Sequence, residues 1–229
     1  MTARPPSAPA GSLFRPRRPW LVLGVAVLAG AAMAAPYAGL DIRASRLPVR
    51  DQVHYGLLVA HIGTALVGLV LGPLQFVPAV RARRRVHRRI GRTYLLAGVL
   101  PSALTVIPVA LLSGRPATQV GLVVPALGWL VTGALGVRAV RRGDVQAHRD
   151  WMLRNYALTF LAVTARLLVP LMLLASLPFG GSPSAVTGLI PLGQVLGWVV
   201  NLAVVEVWIR RRRGRIRHDA GMPDNERVT

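Results

Sequence analysis

The chain has 229 residues, of which 53% are hydrophobic and 16% charged, and its formal net charge is +20. It has no cysteine, which excludes disulfides, thiolate metal centres, Fe–S clusters and covalent c-type haem attachment. All its Lys/Arg-type charge is Arg, and no nucleic-acid recognition motif accompanies it, so a nucleic-acid partner is not expected.

Residues 1–19 carry five prolines together with Arg4, Arg15, Arg17 and Arg18, and read as a disordered basic tail. The first apolar stretch, Trp20–Leu40, contains Ala31-Ala32-Met33-Ala34, a small-residue pattern resembling a signal-peptidase site. The stretch is long enough to span, so an uncleaved first helix is expected. Five further stretches follow at Tyr55–Pro78, Thr93–Leu112, Gln119–Val140, Leu153–Pro178 and Gly188–Ile209. Each is close to the ~20 residues that cross a hydrocarbon core. The expected fold is all-α, a polytopic bundle of six transmembrane helices over residues 20–209. Residues 210–229 read as a basic, disordered cytoplasmic tail. Short loops make consecutive helices antiparallel neighbours. Gly68 and Gly72, and Gly128, Thr132 and Gly136, are small residues at helix-packing spacing.

The charge sorts by side. The N-terminal tail has four Arg. The loop after the second stretch holds Arg81, Arg83, Arg84, Arg85, Arg88, Arg89 and Arg92. Arg138, Arg141, Arg142 and Arg149 follow the fourth stretch, and Arg210–Arg213, Arg215 and Arg217 follow the sixth. The alternate loops carry only Arg43, Arg46, Arg50 and Arg115. This positive-inside pattern puts both termini in the cytoplasm, in a multi-pass protein of the cytoplasmic (inner) membrane, with the Arg-rich loops beside anionic headgroups. Two of those loops share a pattern, His87-Arg88 with Arg92 and Tyr94, and His148-Arg149 with Arg154 and Tyr156. It predicts parallel repeats of helices two–three and four–five.

Helical phase selects the candidate site. With His148 at zero and about 100° per residue, Asn155, Thr159 and Arg166 all fall within about 20° of one line. Arg166 lies about 20 Å beyond Leu153, near the bilayer centre, with no acidic residue at its depth. An intramembrane Arg marks a functional site or a structural tie to free carbonyls. Gln194 or Asn201 on the sixth helix, or carbonyls freed by proline, are its expected partners. The second helix presents His54, His61 and Gln75; the third presents His87 and Tyr94; the sixth presents Gln194, Trp198 and Asn201.

Two chemistries fit these residues. A b-type haem takes two axial ligands from opposite sides of the iron. His87 and His148 suit that role, with neighbouring Arg meeting the propionates and a redox partner implied. His61 is a further haem-ligand candidate, but it shares a helix face with His54, so these two cannot ligate one iron. The other chemistry is a polar cavity for a quinone, lipid or small solute, with Arg166 and His61 as donors. The function classes are therefore a membrane oxidoreductase component, a transporter or ligand-binding protein, or an assembly factor. No Ser-His-Asp set, P-loop or carboxylate cage is present.

The segments Ala60-His61-Ile62, Gly72-Pro73-Leu74-Gln75-Phe76, His87-Arg88, Gly91-Arg92, Tyr94, His148-Arg149-Asp150-Trp151-Met152, Arg154 and Val163-Thr164-Ala165-Arg166 carry a resemblance. Over about residues 55–170 the chain resembles the bacterial membrane-protein family called domain of unknown function 2306. The resemblance implies a multi-helix membrane protein and no particular reaction. The family's characteristic residues fall on His61, Gln75, Arg81, His87, Arg92, His148, Arg154 and Arg166.

Overall fold

The computed structural model describes residues 17–179 and 186–221, so part of each expected tail lies outside the described residues. The described chain is helical, with no strand: α1 Arg17–Ala34, α2 Gln52–Leu74, α3 Pro78–Ala82, α4 Arg84–Thr93, α5 Leu100–Leu112, α6 Pro116–Arg141, α7 Val145–Thr159, α8 Leu161–Ser176 and α9 Val186–Gly221. A π-helical turn, Tyr94–Val99, joins α4 to α5. Among the described residues five helical segments are long and apolar enough to cross a membrane, or six when α7 and α8, bent by 46° at their junction, are counted as one span. The outside of the bundle is apolar, as at Leu28, Leu96, Leu167 and Val204, which are more than half exposed. That is the surface a bilayer requires.

Three departures from regular helix shape the interior. The first is the π turn. Pro101 has no N–H to give Ala97, and its ring crowds that carbonyl. The ladder widens just before it, and the Leu100 N–H reaches Leu95 O. The second is the break at Phe160, which has no proline or glycine. Asn201 of α9 enters here. Its Nδ2–H donates to Ala157 O at 3.0 Å, and its Oδ1 accepts from Thr164 Oγ1 at 2.9 Å. Ala157 is among the last carbonyls of α7, which have no partner within the helix. A side chain inserted into the ladder is a recognised cause of a kink. The third is the length of α9, which continues past Ile209 to Gly221 into the stretch expected to be a tail.

The α6–α7 hairpin is capped at both ends. Gly143 has φ +77°, and Gly143 N and Asp144 N bond Val140 O and Ala139 O, closing α6 with a Schellman turn. Asp144 then accepts from Ala147 N at 2.8 Å as the N-cap of α7. The small-residue rows receive side chains of α7. Tyr156 lies on Gly72, and a Cβ on Gly136 would sit 2.8 Å from Met152 Sδ. Gly68 and Gly98 meet backbone to backbone, where a Cβ on Gly98 would come within 2.8 Å of Gly68 N. These contacts pull α2, the π turn, α6 and α7 around one core of Tyr94, Val99, Ala103, Ala126, Trp129 and Leu158.

Candidate functional site

The expected site residues separate into three places. The deepest is a closed hydrogen-bond network. Trp129 Nε1–H donates to Thr159 Oγ1 at 2.9 Å, and Thr159 Oγ1 lies 2.8 Å from Tyr94 Oη. Tyr94 donates to Asn155 Oδ1 at 2.5 Å. Asn155 Nδ2 donates to Trp129 O at 2.7 Å and to Thr132 Oγ1 at 2.9 Å, and Thr132 donates to Gly128 O at 2.7 Å. All five residues are buried, Asn155 to 0% exposure. Tyr94, Asn155 and Thr159 thus spend their polar capacity on one another and on α6. Trp129 and Thr132 complete the set, and sequence reasoning does not reach them as site residues. Thr132 is visible there only as a small residue in a packing row, and Trp129 only as an apolar aromatic.

The second place is a cavity of about 210 Å³ between α1, α2, α5, α6, the end of α7, α8 and α9, at depths away from the Arg-rich loops. Its polar lining is His61, Arg166, Gln194, Tyr37, Trp129 and Thr159, set among Leu58, Leu66, Leu69, Val106, Leu122 and Leu161. His61 Nδ1 lies 2.9 Å from Ser102 Oγ and 3.0 Å from Ser102 O, so α5 fixes the ring. Arg166 donates from Nη1 to Ala162 O at 3.1 Å, one turn back on its own helix. No ion pair to a carboxylate involves it among the described residues. Gln194 Oε1 is buried without a hydrogen-bond partner. Arg166 lines the cavity, but it is exposed at the bundle surface rather than enclosed in the interior as the stripe predicts. The break at Phe160 ends the stripe that begins at His148, so Arg166 takes its direction from α8 alone. It lines the same cavity as Gln194 and His61, while Asn201 holds the break and Gln75 lies elsewhere.

The third place is the Arg-rich end. His148 Nδ1–H donates to Gly136 O at 2.8 Å, where Met152 and Trp151 of α7 pack on Gly136 of α6. His87 lies within electrostatic reach of His148 and Arg81. Its Nδ1 is buried without a partner, as is Nε2 of Gln75, whose side chain lies against Gly91 one turn along α4. Two acidic residues here are tied to α9 and α7. Arg154 meets Glu206 at 2.6 Å, and Arg213 meets Asp150 at 2.6 Å, with Arg212 at 3.7 Å from the same carboxylate. Glu206 is thus engaged at this end, far along α9 from Gln194.

The described residues hold no group of three or more His, Cys, Asp or Glu arranged to take a metal ion. No similar curated protein and no similar solved structure was found. A family model described as "Predicted membrane protein (DUF2306)" matches residues 58–209, the span that holds His61, the π turn, the α6–α7 hairpin, the break at Phe160 and the ion pair to Glu206. With apolar helices enough for five or six crossings and that match over most of its length, the chain belongs to the DUF2306 family of predicted membrane proteins.

Proposed function

We propose that the chain is a multi-pass protein of the bacterial cytoplasmic membrane that binds a small, ring-bearing, membrane-soluble molecule of the quinone/quinol class in the His61–Arg166–Gln194 cavity. The observation that carries this reading is an unbalanced pair on one apolar cavity. Arg166 is exposed and has guanidinium N–H groups beyond its single backbone bond, and Gln194 Oε1 is the buried member of the pair, an acceptor with no donor. A buried polar atom without a partner calls for a ligand or water. A ring with carbonyls accepts from Arg166, and its reduced form offers hydroxyls to Gln194. The volume of about 210 Å³ is below the ~300–1,000 Å³ of drug-sized sites, which suits a single ring rather than a porphyrin.

Titration with a short-chain benzoquinone, read by tryptophan fluorescence of the full chain, tests this through Trp129 in the cavity wall. Saturable quenching is expected. Arg166→Gln removes a charged donor worth ~1.5–3 kcal/mol and weakens binding by roughly tenfold or more, with an unchanged melting temperature. Quenching that never saturates rejects the ligand. A variant that melts lower but binds normally makes Arg166 a structural residue.

A second reading is a b-type haem between His87 and His148. It is favoured by the Nδ1–H bond to Gly136 O, which fixes the His148 tautomer and leaves Nε2 as the ligating atom. Purified protein then shows a low-spin Soret band that His148→Ala abolishes. A colourless protein from haem-replete cells ends that reading.

A further inference from the structure

We propose that the outer groove between α6 and the π turn is a binding site for an anionic diacyl phospholipid. The groove has a volume of about 560 Å³. One wall is α6, whose contributing residues fall on two adjacent i, i+4 rows. Leu130, Ala134, Arg138 and Arg142 make one row, and Gly133, Val137 and Arg141 the other. Each row is apolar or small for its first turns and cationic in its last. The other wall is the π turn and the start of α5, including Leu96 and Leu100, which are 65% and 41% exposed on the lipid-facing side.

Three features set this groove apart from the general apolar surface. Its floor is low at Ala134, which is exposed and carries only a methyl group, while the neighbouring Gly133 lets Leu95 of the far wall pack close to α6, so a chain can lie along the α6 surface at Ala134. Its far wall is the widened π turn, which Pro101 forces and which is the type of irregularity that recurs at functional sites. Its length matches one leaflet. From Leu130 to its last residue, Arg141, α6 rises about 17 Å, against about 15 Å for half of a 30 Å hydrocarbon core.

Charge decides the occupant. Arg138, Arg141 and Arg142 form no ion pair with a carboxylate among the described residues. The nearest acid in sequence, Asp144, caps α7. Three guanidiniums at the headgroup end of an apolar channel match a phosphate joined to acyl chains, which is how basic pockets between helices select anionic lipids. A zwitterionic lipid offers the same chain but returns a positive charge to the three arginines.

The test uses the full chain in detergent, exposed to phosphatidylglycerol or phosphatidylcholine of equal chain length, with retained lipid counted by native mass spectrometry. Phosphatidylglycerol is expected to be retained over phosphatidylcholine by roughly tenfold or more. The triple variant Arg138→Gln, Arg141→Gln, Arg142→Gln should lose that preference. Ala134→Trp should lose retention although all three arginines are present, because it fills the channel. Leu96→Trp blocks it from the other wall if Ala134→Trp does not fold. Equal retention of both lipids overturns the proposal, as does normal retention with both tryptophan blocks in place. Displacement of the signal by millimolar inorganic phosphate also overturns it, by making the site one for the free anion.

Discussion

Asn155 shows how far a single residue can be read from sequence. Its helical phase, with that of Thr159, places it inward, and it is fully buried. What phase does not give is its partner set, since Tyr94, Trp129 and Thr132 come from two other elements. Every donor and acceptor of its amide is used, so replacing it strands several groups at once. Asn155→Leu is expected to destabilise the protein by about 1–3 kcal/mol, seen as a lower melting temperature in detergent. Tyr94→Phe removes one hydroxyl and should cost less, about 0.5–1.5 kcal/mol. Equal stability of Asn155→Leu and the wild type would mean that the network contributes little. Arg166 shows the opposite case. Its depth is legible, but its direction is not, because the phase count assumes one continuous helix from His148. The link between His61 and Ser102 leaves no trace in the sequence at all, as two residues 41 apart signal nothing by spacing.

The elements were legible as apolar runs but not as shapes. The sequence predicts six stretches, and among the described residues five helical segments are long and apolar enough to cross a membrane, or six when the bent α7–α8 pair is counted as one span. The bend lies where a sequence has no breaker, because Asn201 acts from another helix. Pro101, by contrast, sits in plain view, and the widened turn beside it follows from ring geometry. Both irregularities come soon after the tyrosine of the shared His-Arg, Arg-x-Tyr pattern, Tyr94 at the start of the π turn and Tyr156 just before the break. Asn201→Leu removes the polar wedge, and the α7–α8 span should straighten. Spin labels on Val145→Cys and Leu174→Cys, the only thiols in the chain, should then move apart by about 3 Å in pulsed dipolar spectra. An unchanged distance would assign the bend to packing of Phe160 rather than to Asn201.

At the scale of the molecule, the arginines speak most plainly. Reporter fusions after Ala44 and after Val86 should report opposite compartments, the first outside and the second in the cytoplasm. The same compartment for both would sink the alternating topology itself. The length of α9 has a mechanical consequence. At 36 residues it measures about 54 Å, well beyond the ~30 Å hydrocarbon core. Gln194 stands at the cavity, and Glu206, Arg212 and Arg213 grip α7 at the other end. No proline lies between Gln194 and Arg212, which are about 27 Å apart along the axis. α9 is therefore a strut rather than a string. A displacement of its cavity end is borne as a tilt of one stiff body, and the ion pairs on Asp150 and Arg154 are the bearings against which it turns.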